Sequence, residues 1–265
     1  MKYWIIALIL FGSIQGSAQT DPDYQKLREK LVAKFQNKSA GKFASFGKEV
    51  KASLVTDQKI IALTFDACGG PHLGGYDEEL IHFLRQEKIP ATLFLTGLWI
   101  DEHPDLAKQL AQDTLFEIEN HGLTHRPCSV TGASRYGIRG TENVAQAVDE
   151  IELNARKIQR ICNRKPIYFR SATATADEAC GEIANELGEM IVNYDVLSGD
   201  AVRGTAAKII EDNIVRKAHQ GAIVIMHMNR PEWNGCEALK EAVPQLRSMG
   251  YSFVKLKDHT LAGSH

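Results

Sequence analysis

The stretch Ile60-Ile61-Ala62-Leu63-Thr64-Phe65-Asp66-Ala67-Cys68-Gly69-Gly70 decides the fold. A short apolar, β-rich run that breaks at a carboxylate and then a glycine pair reads as a strand delivering chemistry at its carboxyl end. Further runs of the same kind follow at Ala91 to Thr96, Leu115 to Glu119, Pro166 to Phe169, Met190 to Tyr194, Ala222 to Met226 and Ser252 to Lys255. Helical patterns separate them, at Asp77 to Lys88, Pro104 to Gln112, Glu142 to Cys162, Asp177 to Gly188, Thr205 to Gln220 and Cys236 to Met249, several opened by Asp, Pro or Thr and closed near Gly. This alternation predicts parallel βα units. Seven strands predict an α/β barrel one unit short of the eightfold type, with an open doubly wound sheet as the competitor.

Either architecture collects function at the carboxyl ends of its strands. The sequence places Asp66 there after the first run, His121 and His125 after the third, Arg170 after the fourth, Asp200 beyond the fifth and His227 after the sixth. His121 and His125 are spaced to offer two nitrogens to one cation, and they follow directly from the strand through Glu117-Ile118-Glu119-Asn120. A carboxylate ending an apolar strand needs a partner, and Arg170 at another strand end supplies one. His227 follows Ile223-Val224-Ile225-Met226, which fits a satisfied core histidine or, beside two other imidazoles, a general acid. The combination points to metal-assisted hydrolysis.

Residues 1–18 carry one Lys, an apolar core from Trp4 to Phe11, and Gly16 and Ala18 before a plausible cleavage point. They read as a signal peptide, giving a secreted or periplasmic mature protein. No later stretch approaches the roughly 20 apolar residues of a membrane span, so no stable membrane anchor is expected. A net charge of −2 argues against nucleic acid as a bulk partner. Residues 19–56 are expected as a basic helical extension, with eight Lys/Arg against four Asp/Glu from Asp21 to Val55 and Leu27, Leu31, Val32 and Phe35 at helical spacing. Such a helix packs on the domain, or alternatively is drawn to an anionic wall polymer. The catalytic domain is expected over residues 57–265. The cysteines are Cys68, Cys128, Cys162, Cys180 and Cys236, an odd number, so at least one stays unpaired within the chain. A bridge from Cys68 to Cys128 across the rim of the site is the expectation, with free buried thiols as its alternative.

From about Lys59 to Leu256 the chain resembles the polysaccharide deacetylase family, carbohydrate esterase family 4. Thr64-Phe65-Asp66-Ala67-Cys68-Gly69-Gly70-Pro71-His72 is similar to the family's Thr-Phe-Asp-Asp-Gly-Pro-His, with its middle replaced and lengthened. Asn120-His121-Gly122-Leu123-Thr124-His125 matches Asn-His-Thr-x-x-His. Phe169-Arg170-Ser171-Ala172-Thr173 keeps only the Phe and Arg of Phe-Arg-x-Pro-Tyr, Asp200-Ala201 keeps the acid of Asp-Trp, and the apolar run into His227 is intact. The resemblance implies a distorted (β/α)7 barrel and a divalent metal ion, zinc favoured, that polarises an acetamide carbonyl and its water. It implies Asp66 as base, Arg170 orienting it, His227 as acid and Asp200 supporting His227. The substrate implied is an N-acetylated glycan, peptidoglycan favoured, with chitin-type or biofilm polysaccharide as alternatives; a catalytically weak glycan-binding protein is the competing class. Ala67 stands where the family has its metal Asp. The expected ligands are therefore His121, His125 and Asp66, with Cys68, His72 or water as alternatives for the third.

Overall fold

A computed structural model describes residues 21–70 and 72–264. The signal peptide expected at residues 1–18 lies outside the described residues. Seven strands close into a barrel: β1 (Val50–Leu54), β2 (Ile60–Ala67), β3 (Ala91–Leu95), β4 (Phe116–Asn120), β5 (Tyr168–Phe169), β6 (Met190–Val192) and β7 (Ala222–His227). The circuit runs β2-β3-β4-β5-β6-β1-β7 and back to β2. Its longest seam is parallel, with β7 and β2 in register from Ala222↔Ile61 to His227↔Asp66. The opposite flank closes through one antiparallel pair, Ala222↔Ser53.

Six of the expected strands are barrel staves, and the seventh stave differs from the expectation. Ser252–Val254 lies outside the circuit, beside Ile60 to Ala62 of β2. Its place is taken by β1, from the segment expected to be helical. Among the described residues of that segment, 21–56, the helix runs from Pro22 to Phe35 (α1) and no further. Val50-Lys51-Ala52-Ser53-Leu54 alternates buried and half-buried positions, the period-two signature of a strand.

The helices are α1 (Pro22–Phe35), α2 (Glu78–Gln86), α3 (Gly97–Glu102), α4 (Pro104–Gln112), α5 (Val144–Cys162), α6 (Glu178–Glu186), α7 (Ala207–Lys217) and α8 (Gly235–Ser248). Their starts follow capping chemistry: Asp77 accepts from Leu80 N, Asn143 from Gln146 N and Asp177 from Cys180 N, each satisfying an otherwise orphaned amide. Strand alternation divides the core into two shells. Ile61, Leu63, Phe65 and Ala67 of β2 pack outward under the helices with Ala222, Val224 and Met226 of β7. Ile60 and Ala62 face inward with Phe94, Tyr168, Val192 and Ile223.

Helix α1 buries Tyr24, Leu31 and Phe35, and cations flanking that face meet acids of α5 and α6. Arg28 Nε lies 2.6 Å from Asp149, Lys34 Nζ lies 2.6 Å from Glu186, and Lys38 at the end of the helix pairs with Glu182. The basic segment is thus docked on the barrel by ordinary amphipathic packing. Among the described residues, no helix is long and apolar enough to cross a membrane.

The disulfide also departs from the expectation. Cys128 bonds Cys180, with Cα atoms 5.9 Å apart, and Cys68, Cys162 and Cys236 are free thiols. Cys128 sits in the outer core with Phe169 and Ile183, whereas Cys68 lies at the barrel mouth against His121, so the two sulfurs occupy different layers. The bridge spans 52 residues of sequence, for which chain entropy gives a stabilisation of about 4 kcal/mol. We therefore expect the unfolded, unreduced chain to titrate as three thiols. Replacing both Cys128 and Cys180 by Ala should lower unfolding free energy in urea by roughly 2–5 kcal/mol.

Candidate active site

The carboxyl end of β2 brings Asp66 into the barrel mouth, and Arg170, just past β5, reaches it from the far side. Arg170 is completely buried. Its Nη1 donates to Asp66 Oδ1 at 2.8 Å and to Thr64 Oγ1 at 2.9 Å; Nε donates to Val192 O at 3.0 Å and Nη2 to Asn193 O at 2.8 Å. The guanidinium also lies 4.1 Å from the centre of the Phe94 ring. Burial alone would raise the Asp66 carboxyl, but the charge of Arg170, the largest opposing influence, holds it below its ordinary range. Asp66 is therefore an ionised, oriented carboxylate.

His227 is the register partner of Asp66 across the β2–β7 seam. Asp200 grips it twice, accepting from His227 N at 2.7 Å and from His227 Nδ1 at 3.2 Å, while Ser198 Oγ donates to Asp200 Oδ1 at 2.9 Å. Burial would lower this imidazole, but Asp200, by its charge and its hydrogen bond, raises it above the usual value. With Nδ1 engaged, Nε2 carries the exchangeable proton. Ala201, where the family motif has Trp, is exposed. Another loop supplies an indole: Trp233 stands edge-on to His227 with ring centres 5.3 Å apart and is itself capped by Arg230.

His121 and His125 flank a tight loop after β4. His121 is buried and donates from Nδ1 to Arg170 O at 2.8 Å, which leaves the Nε2 lone pair facing the mouth. Burial lowers the pKa of His121, and burial followed by the neighbouring His121 takes His125 down to about 3, so both rings are neutral and fit to ligate near pH 7. The donor atoms of Cys68, His121 and His125 all lie within 4.8 Å of one another. Asp66 Oδ2 is 3.6 Å from His121 Nε2, yet Asp66 does not join that three-donor set. His72, one of the alternatives for third ligand, is exposed and lies outside the set, its carbonyl accepting from Arg230.

The ligand loop is shaped by a residue the sequence reading passed over. Glu150 of α5 is buried, and its carboxylate accepts from Thr124 N at 3.0 Å, Arg126 N at 3.1 Å and Thr124 Oγ1 at 2.6 Å. Gly122, at φ +85°, has no room for a side chain, since a Cβ there would sit 2.5 Å from Glu150 Oε1. His125 itself adopts φ 57°, a left-handed conformation that this hydrogen-bonded loop holds in place. The only hint in the sequence was a buried-face position on an otherwise amphipathic helix. In the third motif Thr173 and Ala174 both take positive φ, and Asn193 Nδ2 donates to Ala174 O at 2.9 Å. Replacing Glu150 by Ala should weaken retention of a divalent cation by roughly 10- to 100-fold, read as zinc bound after dialysis against a competing chelator.

The family model for polysaccharide deacetylase matches residues 54–192. The peptidoglycan-N-acetylmuramic acid deacetylase PdaA of Bacillus subtilis is 25% identical over 206 residues, covering 77% of this chain and 72% of the relative. A peptidoglycan-N-acetylglucosamine deacetylase of Bacillus cereus is 25% identical over 204 residues, covering 76% of this chain and 88% of that protein. In fold, the chain is similar to a CE4 family pseudoenzyme from Bacillus anthracis, with TM-score 0.67 at 23% identity over 79% of this chain and 68% of that one. With that match over more than half of its length, and a closed seven-stranded barrel carrying carboxylate, arginine and histidines at one mouth, the chain belongs to the polysaccharide deacetylase family, hydrolases of N-acetyl amide bonds.

Proposed function

We propose that this chain is an exported, metal-dependent N-deacetylase of an N-acetylated glycan, with peptidoglycan as its substrate. The observation that carries the reading is the meeting of three groups at one barrel mouth: the Asp66–Arg170 pair, the His227–Asp200 pair, and the donors Cys68, His121 and His125. The choice of peptidoglycan is supported by the named activities of the B. subtilis and B. cereus relatives, and export by the signal-peptide pattern of residues 1–18.

An amide carbonyl is a poor electrophile and an amine a poor leaving group, so the site must both polarise and protonate. His121, His125 and a further protein donor would hold a divalent cation, which would supply Lewis acidity at the carbonyl and lower the pKa of its water. Asp66, ionised and held by Arg170, accepts the proton of the attacking water. His227, kept protonated by Asp200, delivers a proton from Nε2 to the departing sugar nitrogen. Each carboxylate thus has a separate task, one as base and one as support for the acid. The competing reading is a glycan-binding protein without turnover, supported by the likeness in fold to a B. anthracis CE4 family pseudoenzyme.

Acetate release from purified peptidoglycan and from chitin oligomers, with zinc and with chelator, decides between them. We expect release from peptidoglycan that chelator abolishes and that His227→Ala lowers by about 10²- to 10⁴-fold. Binding to glycan without acetate release from either polymer would establish the non-catalytic reading. Activity through His227 needs its protonated form, so it falls as pH rises through the His227 pKa. Asp200 raises that pKa. Asp200→Asn should therefore move the alkaline limb of kcat/KM to lower pH.

A further inference from the structure

The barrel's alternation bears directly on the third metal ligand. Side chains two residues apart on a strand share a face. In β2 the inward series begins at Ile60 and Ala62, while Ile61, Leu63, Phe65 and Ala67 belong to the outer core under the helices. Thr64 and Asp66 continue the inward series by their bonds to Arg170, and the next position of the same parity is Cys68. Its sulfur arrives where the parity sends it, with Sγ 3.8 Å from His121 Nε2 and His125 completing a set within 4.8 Å. Two ligands of one tetrahedral zinc, with Zn–S near 2.3 Å and Zn–N near 2.1 Å, lie about 3.6 Å apart. The observed sulfur–nitrogen spacing is thus within a few tenths of an ångström of a shared coordination shell.

The surroundings of Cys68 fit the same role. It takes no part in the disulfide, and it is buried. Asn229 Nδ2 donates to its carbonyl at 3.2 Å and to Leu73 O at 2.6 Å, fixing the turn. His121 has its Nδ1 engaged by Arg170 O, so its free nitrogen is the one that faces the thiol. Asp66, in contrast, is tied to Arg170 through Oδ1.

We propose that Cys68, His121 and His125 form a thiolate metal site in this chain, and that Asp66 stays outside the ligand set as the base. The proposal rests on the metal-dependent reading above only for the presence of a cation, and its readouts do not involve acetate. Ligation converts the Cys68 thiol to thiolate, one S–H bond giving way to one S–metal bond with the proton passing to solvent. The thiolate brings the single negative charge of a carboxylate ligand while its softness favours zinc over magnesium, calcium or manganese.

The test uses the purified chain stripped of metal and reloaded with zinc or cobalt(II). We expect one zinc per chain by elemental mass spectrometry, and a thiolate-to-cobalt charge-transfer band in the near ultraviolet. Cys68→Ser should abolish the band and weaken zinc binding on the order of 100-fold or more, against the 10- to 100-fold cost of removing a supporting residue. Asp66→Asn should keep both the band and stoichiometric zinc. A wild-type cobalt form without the band overturns the proposal, and this measurement needs no variant to fold. Undiminished zinc affinity in a folded Cys68→Ser chain, or loss of both zinc and the band in a folded Asp66→Asn chain, would also overturn it. Should the site hold zinc through sulfur yet release no acetate, the proposal stands and the deacetylase reading fails.

Discussion

A fully buried guanidinium imposes the strictest demand in this molecule. Arg170 cannot be neutralised, so each of its donors needs an acceptor and its charge needs a counter-ion. The barrel answers with Thr64 and Asp66 from β2, the Val192 carbonyl at the end of β6, the Asn193 carbonyl beyond it, and the Phe94 face from β3. Its own backbone N donates to Asn120 O and its carbonyl accepts from His121. One side chain with its peptide groups therefore fixes the relative positions of four strand ends. Loss of either member of the Arg170–Asp66 pair leaves an uncompensated buried charge, a cost of about 3–5 kcal/mol.

The tie between ion pair and imidazole links fold to chemistry. The same residue that keeps Asp66 ionised also selects the tautomer of His121, so base and ligand are oriented by one constraint. The departures from the family pattern lie where this hub does not reach: Ala67 faces the outer core, Ala201 is exposed, and Ala172-Thr173-Ala174 turns with its own left-handed backbone. The positions the hub touches directly, Asp66, Asn120, His121 and Phe169-Arg170, keep the family residues. The substitutions are thus concentrated where backbone and side chains are least constrained by buried charge.

Much of this was legible in the chain itself. The strands at Ile60, Ala91 and Ala222 announced themselves because staves buried on both faces are nearly continuously apolar, those at Leu115, Pro166 and Met190 were shorter β-rich runs, and the chemistry at their ends followed from the topology. Val50-Lys51-Ala52-Ser53-Leu54 hid because a stave covered on one side alternates with Lys and Ser, and a basic helix lay just before it. The Cys128–Cys180 bridge was unreadable because spacing does not fix pairing, and Cys128 looked like a neighbour of the site when it belongs to the outer core. Glu150 was missed since a buried acid on an amphipathic helix has no sequence signature apart from the loop it holds. Cys68 was visible as an alternative, and strand parity, applied past Asp66, is the argument that separates it from the others.

Gly69 draws these strands together. A Cβ there would lie 2.3 Å from Trp99 N, so the chain can pass α3 only as glycine. Whatever length the segment beyond it acquires, Cys68 is anchored on its near side by the strand and on its far side by that pass. Beyond it the rim is held in turn, Asn229 Nδ2 donating to Leu73 O at 2.6 Å and Trp99 Nε1 to Gly75 O at 2.9 Å. Floor and rim share an anchor, since Asn229 holds the carbonyls of both Cys68 and Leu73, so a change in the loop is transmitted to the sulfur through one amide side chain.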